Sequence, residues 1–229
     1  MSGDPINAIY EDTRVTIEMV GPIGPLGNNS YIVRPRSSGG GGGDGPAIVV
    51  DAPEGSEAIV AALGGDAVSA IVITHQHRDH WAGLATLRAS IDAPVYMGAE
   101  PQRLEIDVHS EVLGDGETLP VGNAVLEVIS TPGHTPGSIC LSIKSSMGGA
   151  VLTGDTLFPG GPGRTGSHEA LMQELESIVS RLYVLPGHAM VLPGHGDGTS
   201  INASQAEYAV FAKREHPEDL AGDVTWYNS

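Results

Sequence analysis

Four side chains that can bind a metal ion lie within six residues, in the stretch HQHRDH at positions 75–80. The run AIVIT directly before it, at positions 70–74, is too short and too rich in β-branched residues to favour a helix, so the stretch follows a predicted strand. In an extended segment alternate side chains point the same way, which places His75 and His77 on one side. The last two residues of the stretch turn towards a following helix and can face a second point. One short stretch can therefore serve two metal ions.

Imidazole and carboxylate ligands together suit zinc, manganese or iron, and the lack of cysteine in the stretch argues against a structural zinc site. A histidine-rich surface loop, or a helix cap at Asp79, would explain the stretch without a metal. Two residues elsewhere weaken these explanations. His134 lies in the turn STPGHTPGS between two strand patterns, and Asp155 follows the strand pattern in VLTGDTLF. Either residue alone would be an ordinary turn residue, but together with the stretch they favour a metal centre.

These residues, in the order His-x-His-x-Asp-His, then His, Asp and His, resemble the signature of the metallo-β-lactamase superfamily over nearly the whole chain. The resemblance implies an α/β fold, a four-layer αββα sandwich with the ligands on loops at one edge of the paired sheets. It also implies two divalent metal ions as cofactors, with zinc expected first and iron or manganese as alternatives. The implied ligands are His75, His77 and His134 for one ion, Asp79, His80 and a final histidine for the other, and Asp155 between both.

Two histidines compete for the place of that final ligand, because the tripeptide Pro-Gly-His occurs twice, ending at His188 and at His195. In the family the last ligand follows a strand and precedes a glycine and a polar turn. His195 matches this context in AMVLPGHGDGTS. His188 precedes the same strand-like run, at positions 189–192, and a strand that rises about 3.3 Å per residue would separate the two imidazoles widely. We therefore predict that His195 is the ligand and that His188 is a turn residue.

The chemistry that the resemblance implies is hydrolysis of an ester-like bond. Two metal ions lower the pKa of a water molecule between them, and Asp79 is the expected catalytic residue that assists proton transfer to the leaving group. The bridging aspartate of TGDT argues against a true β-lactamase, and the segment GDTLFPGGPGRTG at positions 154–166 is similar to that of glyoxalase II, which hydrolyses thioesters. Glyoxalase II carries a helical C-terminal domain, whereas 34 residues follow His195 here. We therefore expect a compact glyoxalase-II-like thioester hydrolase.

Other interpretations stay open. A mononuclear iron persulfide dioxygenase and a lactonase of the same fold are the enzymatic alternatives. A non-enzymatic metal-binding scaffold belongs to a different class, and the complete ligand set argues against it. Two further residues have less specific patterns. Cys140, in the strand pattern SICLSIK, is predicted to be a core residue, and Arg164 either steers an anionic substrate or anchors the glycine-rich segment around it.

The amino-acid composition indicates which classes of partner are expected. The chain has 11 Lys and Arg against 28 Asp and Glu, and a net charge of -17 opposes binding to a phosphate backbone, so nucleic acid is not an expected partner. No apolar run approaches the ~20 residues that cross a bilayer, so no membrane partner is expected either. A single cysteine and an N-terminus without a signal-peptide pattern favour the cytoplasm. The expected partner is a small-molecule substrate, and the oligomeric state is not indicated.

The chain is predicted to form one domain over residues 1–229, because no shift of composition marks a boundary. A flexible glycine-rich loop at 36–46 is predicted to join strands at 29–33 and 47–51. The remaining patterns predict strands at 70–74, 94–97, 124–129, 138–143, 150–153 and 189–192, and helices at 56–63, 81–90, 168–182 and 203–215.

Overall fold

The structure is a computed structural model and describes residues 8–37, 43–99, 110–146 and 148–228. The flexibility predicted for loop 36–46 concerns mainly residues 38–42, which lie outside the described residues. Among the described helices, none combines the length and the apolar composition that crossing a bilayer would require.

Seven strands form a mixed sheet, and they lie side by side in chain order. They are β1 (Ala8–Glu11), β2 (Val15–Ile23), β3 (Asn28–Pro35), β4 (Ala47–Val50), β5 (Val68–Ile73), β6 (Val95–Met97) and β7 (Ser110–Val112). The pairs from β1 to β4 are antiparallel, whereas the pairs from β4 to β7 are parallel. The antiparallel pairing of β3 with β4 agrees with the hairpin predicted around the glycine-rich loop.

A second sheet has six strands, and a short two-stranded ribbon lies beside it. The strands of the second half are β8 (Thr118–Val121), β9 (Ala124–Ser130), β10 (Ile139–Ile143), β11 (Ala150–Gly154), β12 (Leu157–Phe158), β13 (Gly161–Pro162), β14 (Met190–Pro193) and β15 (Thr199–Ser200). Strands β12 and β13 form the ribbon, and the order of the sheet is β15-β14-β11-β10-β9-β8. Strands β9, β10 and β11 are antiparallel neighbours, as the sequence predicted, while β11 and β14 are parallel.

Helices cover the outer face of each sheet. They are α1 (Glu57–Leu63), α2 (Leu84–Ser90), α3 (His168–Ser177) and α4 (Ile201–Phe211), with a 3₁₀ turn at Arg78–His80 and a π-helical turn at Ile178–Leu182. The π-helical turn continues α3, so the two together span the helix predicted at 168–182. Helix α4 ends at Phe211 instead of continuing to 215 as predicted.

Alternation along the strands explains why helices are needed on both outer faces. On β5, Ala70 and Val72 pack between the two sheets, whereas Ile71 and Ile73 pack against α1 and α2. On β11, Leu152 belongs to the core between the sheets, and its neighbour Val151 packs with residues of α3 and α4. Such strands are apolar on both faces and read as continuous hydrophobic runs. The layers are helix, sheet, sheet and helix, which confirms the predicted αββα sandwich.

Strands β1, β2, β7, β8, β12, β13 and β15 were not predicted from the sequence. The sequence of β2 carries a detectable signal, because apolar Val15 and Ile17 alternate with polar Thr16 and Glu18. The apolar pair is fully buried, and the polar pair is less buried. This alternation is the period-two pattern of a strand. Strand β2 is the second strand of the sheet, between the short edge strand β1 and β3.

Candidate metal centre

A first group of candidate ligands lies beyond the end of β5. His75 and His77 follow this strand, and His134 belongs to the turn between β9 and β10. His75 Nε2 lies 3.1 Å from His77 Nδ1, and His77 Nδ1 lies 2.8 Å from His134 Nε2. The backbone bends after β5, so the segment is not extended as the sequence argument assumed. The two rings nevertheless meet at one point, as that argument predicted.

A second group includes residues from the 3₁₀ turn. His195 Nε2 lies 3.3 Å from Asp79 Oδ2, and His80 Nε2 lies 3.4 Å from the same oxygen. Asp155, directly after β11, lies between the two groups. Its Oδ1 is 3.3 Å from His80 Nε2, and its Oδ2 is 3.7 Å from His134 Nε2. All seven residues that the sequence singled out as candidate ligands are therefore brought together.

The donor atoms of this cluster fit metal ions better than they fit one another. Within the described residues, His80 Nε2 and Asp155 Oδ1 are buried without a hydrogen-bond partner. A buried polar atom in this condition costs about 1–3 kcal/mol. Three overlapping groups have ligand atoms within 4.8 Å of one another: His75, His77 and His134; His75, His80 and Asp155; and Asp79, His80 and His195. This set of imidazoles and carboxylates suits divalent transition-metal ions.

Asp51 organises two of the candidate ligands from outside the cluster. This carboxylate follows β4, is 2% exposed and has a φ of 61°. Its Oδ2 accepts hydrogen bonds from His80 Nδ1 at 2.8 Å and from Thr74 Oγ1 at 2.9 Å. Because the Thr74 hydroxyl donates to Asp51, it can accept from His75 Nδ1, which lies 3.1 Å away. Both imidazoles thereby turn Nε2 towards the cluster, an arrangement that is common around metal-binding histidines.

Asp51 was not predicted as a site residue, although the sequence contains a signal for it. The apolar strand at 47–50 ends in this aspartate, and the strand that precedes His75 lies parallel to it in the sheet. Parallel neighbours bring their carboxyl ends to the same edge, so a polar residue at the end of one strand meets the loop after the other. The pairing of the two strands had to be known before that signal could be used.

Burial and neighbouring charges set the protonation of the cluster. Burial lowers the pKa of His75. Burial opposes the charged form of His80 too, but the Asp51 carboxylate raises the pKa of His80 well above its ordinary value. Burial alone would raise the pKa of Asp79 and of Asp155. Hydrogen bonds from His195 and Asn28 lower the pKa of Asp79, and the nearby His80 lowers the pKa of Asp155. Metal ions bind neutral imidazoles and ionised carboxylates, so a cation would displace the proton on His80 and meet carboxylates that are already ionised.

The start of β3 holds the segment that carries His195. Asn28 Nδ2 donates to Asp79 Oδ2 at 2.8 Å and lies 3.3 Å from His195 Nε2. Asn29 donates its backbone N–H to the carbonyl of Gly194 at 2.7 Å and its side-chain Nδ2 to the carbonyl of Gly196 at 2.8 Å. The residues on both sides of the imidazole are thus fixed to a strand of the other sheet. The sequence analysis assigned no role to either asparagine.

His188 lies away from this cluster. Its side chain is exposed, and it packs against Gly148, so that a Cβ at Gly148 would come within 2.2 Å of His188 Cδ2. Gly148 belongs to the turn between β10 and β11, whereas Asp155 follows the opposite end of β11. His188 is part of none of the groups of potential ligands found in the described residues. The two Pro-Gly-His copies therefore lie at opposite ends of β14.

Two residues near the site have other environments. Cys140 is fully buried on β10, and burial raises the pKa of its thiol to about 11, which agrees with the predicted core role. Glu174 on α3 is also fully buried, and its Oε1 accepts a hydrogen bond from the Gly163 N–H at 3.1 Å. Burial raises the pKa of this carboxyl to about 9. The signal was its position on the apolar stripe of the helix, between Leu171 and Ile178.

The match to known families agrees with this geometry. The family model of the Metallo-beta-lactamase superfamily matches residues 23–195, and the chain belongs to this superfamily. It is 36% identical over 158 residues to the probable metallo-hydrolase YqgX of Bacillus subtilis, with 59% of this chain and 72% of that protein covered. It is 34% identical over 165 residues to a hydroxyacylglutathione hydrolase of Xanthomonas euvesicatoria, with 71% of this chain and 61% of that protein covered. The chain thus spans less than two thirds of that hydrolase.

Solved structures show the same fold. The crystal structure of the BLEG-1 B3 metallo-beta-lactamase matches with a TM-score of 0.68 and 26% identity, covering 83% of this chain and 96% of that one. The crystal structure of TTHA1623 in a di-iron-bound form matches with a TM-score of 0.63 and 27% identity, covering 82% of this chain and 96% of that one. The resemblance to the superfamily that the sequence suggested is thus confirmed.

The two Pro-Gly-His copies allow a matched test of the ligand assignment. We expect His195→Ala to lower the metal content of the purified protein towards one ion per chain, because the group of Asp79, His80 and His195 loses an imidazole. His188→Ala changes an exposed ring at the far end of β14 and should leave the metal content unchanged. Metal analysis of both variants checks this. Loss of metal in the His188 variant alone would contradict the assignment.

The buried carboxyl of Glu174 predicts a pH dependence of stability. Its pKa is about 9 in the folded protein against an ordinary value of 4.5, so the folded state holds a proton that the unfolded state releases between these values. This group therefore stabilises the fold less as pH rises through that window, by about 1 kcal/mol per pH unit. Glu174→Gln stays neutral, so its free energy of unfolding should rise relative to the wild type between pH 5 and 9. Urea unfolding of both metal-free proteins measures this, and a difference that is constant across the window would be evidence against it.

Proposed function

We propose that this protein is a metal-dependent hydrolase that binds two divalent ions and cleaves thioesters. The observation that carries the proposal is the position of Asp155 between candidate ligands of both groups. Its Oδ1 lies near His80, and its Oδ2 lies near both His134 and His195. A carboxylate in this place can serve both ions. The similarity to a hydroxyacylglutathione hydrolase supports a hydrolytic activity.

The proposed ligands divide between two ions, with Asp155 common to both. The first ion would be held by His75, His77 and His134, and the second by Asp79, His80 and His195. Two such ions would supply a hydroxide near neutral pH and would stabilise the negative charge that develops on a carbonyl oxygen. The protein's part is to keep these seven side chains in place.

The environment of Asp79 favours a thioester over an ordinary ester. Burial would raise its pKa, but hydrogen bonds from His195 and Asn28 hold that pKa well below its usual range, so Asp79 is ionised. An ionised carboxylate is a poor proton donor. A thiol leaves as a thiolate with a pKa of about 8.5 and needs little help from an acid, whereas an alcohol needs a proton from a stronger donor. A thioester can therefore be cleaved without protonation of its leaving group by Asp79, whose proposed part is that of a ligand to the second ion.

Two cavities flank the candidate ligands and suit the two ends of such a substrate. A cavity of about 580 Å³ is lined by His77, His134, Arg164, Thr165, Gly166, Ala221 and Gly222. A smaller one of about 260 Å³ is lined by Pro25, Leu26, Asn28, Glu54, Arg78, Asp79 and Ala82. We assign the thiol part of the substrate to the larger cavity and a small acyl group to the smaller one, which has the more apolar walls.

Arg164 is suited to an anionic group on the thiol part. Its side chain is exposed, and its Nε lies 3.6 Å from Asp223 Oδ2 in an equally exposed ion pair. Exposed pairs of this kind contribute little stability, so a substrate carboxylate can replace Asp223 at low cost. The backbone pairing between Thr165 and Gly222 places the segment after α4 at the wall of the same cavity.

A screen of thioesters, lactones and glutathione persulfide tests the proposed activity. We expect the metal-loaded protein to hydrolyse thioesters without oxygen consumption, and Asp79→Ala to reduce kcat by about 10²-fold to 10⁴-fold while the fold is retained. Asp92→Ala removes an exposed aspartate away from the cluster and serves as the control. Oxygen uptake with the persulfide would indicate a dioxygenase. Turnover confined to lactones would indicate a lactonase, and a protein that binds metal but turns over none of these would be a scaffold.

The role of Arg164 can be separated from catalysis by comparing two thioesters. Arg164→Gln should raise KM for a thioester of a carboxylate-bearing thiol by about threefold to fivefold, the range expected for an exposed ion pair, and should leave kcat unchanged. A thioester of a neutral thiol should be unaffected. Arg88→Gln, on the exposed side of α2, is the matched control. Equal effects of Arg164→Gln on both substrates would mean that Arg164 supports the loop instead of binding substrate.

A further inference from the structure

Glu174 is a carboxyl group in the protein interior that the proposed reaction does not use. It lies on α3 and is 0% exposed. The helix packs so closely on the turn before His134 that a Cβ at Gly133 would lie 2.2 Å from the Cβ of Glu174. Glu174 is therefore pressed against the segment that carries one of the candidate ligands, on the side that faces away from solvent.

Two hydrogen bonds in series connect Glu174 to the ring of His134. Glu174 Oε1 accepts from the Gly163 N–H at 3.1 Å. The next residue, Arg164, accepts a hydrogen bond on its carbonyl oxygen from His134 Nδ1 at 2.8 Å. This second bond places the hydrogen of His134 on Nδ1 and leaves Nε2 facing His77 and Asp155. The position of one peptide segment thus decides how the imidazole is oriented.

Gly163 has no room to adjust if this contact is lost. A Cβ built on Gly163 would lie 1.9 Å from the Asp155 carbonyl oxygen, 2.8 Å from His134 Nδ1 and 3.1 Å from Glu174 Oε1. The glycine backbone is enclosed by two candidate ligands and the buried carboxyl. A small movement of the segment would therefore change the surroundings of both ligands.

We propose that Glu174 is a positioning residue, which orients the imidazole of His134 by holding the Gly163–Arg164 segment from the protein interior. The relevance of this orientation to metal binding rests on the proposed function, in which His134 is a ligand. The hydrogen-bond series itself does not depend on the activity.

The chemistry of the carboxyl suits this role. An apolar side chain at position 174 would leave the Gly163 N–H buried without an acceptor, which is unfavourable. Burial raises the pKa of Glu174 to about 9, so the group is neutral near pH 7 and adds no negative charge beside Asp155. Its Oε2 has no hydrogen-bond partner within the described residues, a condition that would be much less favourable for a charged carboxylate. Glu174 thus supplies an acceptor without a charge, whereas Asp51 holds the other side of the cluster through His80.

Two substitutions at this position separate the acceptor from the volume of the side chain. Glu174→Gln keeps an oxygen that can accept from the Gly163 N–H, and Glu174→Leu removes it at similar size. Glu176→Leu, an exposed residue of the same helix, is the matched control. Each protein is first compared by urea unfolding, and its affinity for Zn²⁺ is then measured by competition with a chelator. The Nδ1–H signal of His134 is recorded by NMR of protein with ¹⁵N-labelled histidine.

We expect Glu174→Leu to weaken the binding of at least one Zn²⁺ ion by about 10-fold to 100-fold. This is the range typical of residues that orient metal ligands. The hydrogen on His134 Nδ1 should then exchange faster with solvent. Glu174→Gln should restore both the affinity and the signal, and the control should behave as the wild type. Unchanged signal and affinity in Glu174→Leu would overturn the proposal, and so would a Gln variant as impaired as the Leu variant.

A measurement on the unmodified protein keeps the proposal testable if Glu174→Leu does not fold. The Gly163 amide should exchange its hydrogen slowly, at a rate typical of buried strands, and exchange as fast as in an exposed loop would overturn the proposal. The outcomes also distinguish the two proposals of function and positioning. A displaced His134 signal in Glu174→Leu, together with no thioester turnover by the wild type, would reject the function and keep the positioning role. Thioester turnover by the wild type with an unchanged His134 signal in that variant would reject the positioning role and keep the function.

Discussion

The packing around the site follows from one requirement, which is that seven side chains able to bind cations must direct their donor atoms to one place. An outer hydrogen bond on the opposite ring nitrogen fixes the orientation of an imidazole ligand. Each of four rings has such a bond on its Nδ1. The acceptors are Asp51 for His80, Thr74 for His75, the Arg164 carbonyl for His134 and the Leu26 carbonyl for His195.

The candidate ligands and the groups that hold them come from both halves of the sandwich, so the cluster forms only when the two sheets face each other. Asp51 and Thr74 end strands of the seven-stranded sheet, whereas Asp155 and His195 follow strands of the six-stranded sheet. Asn29 connects the two by bonding to the carbonyls beside His195. Because unfolded chains lack such a preformed site, metal binding would also stabilise the folded state.

The second half of the site has a wall formed by the segment that follows α4. The segment after α4 pairs its Gly222 with Thr165. Trp226 is completely buried, and its backbone N–H donates to the carbonyl of Gly160, in the turn between β12 and β13. The wall of the larger cavity is therefore a surface segment fixed at both ends. Loops fixed in this way can vary in sequence, and hence in substrate preference, without disturbing the ligands that lie on the strand ends.

The sequence predicted most strands of the two sheets from their local patterns, and its resemblance to the superfamily implied the seven candidate ligands and the choice of His195 over His188. It could do so because these features are local: a cluster of ligand types, short β-branched runs, and a glycine after a strand. Only the tertiary structure decided the roles of Asp51, Asn28 and Glu174. Their partners lie 29, 51 and 11 residues away along the chain. A hydrogen bond across such a separation exists only once strands and helices have packed, so no local pattern in the sequence can specify it.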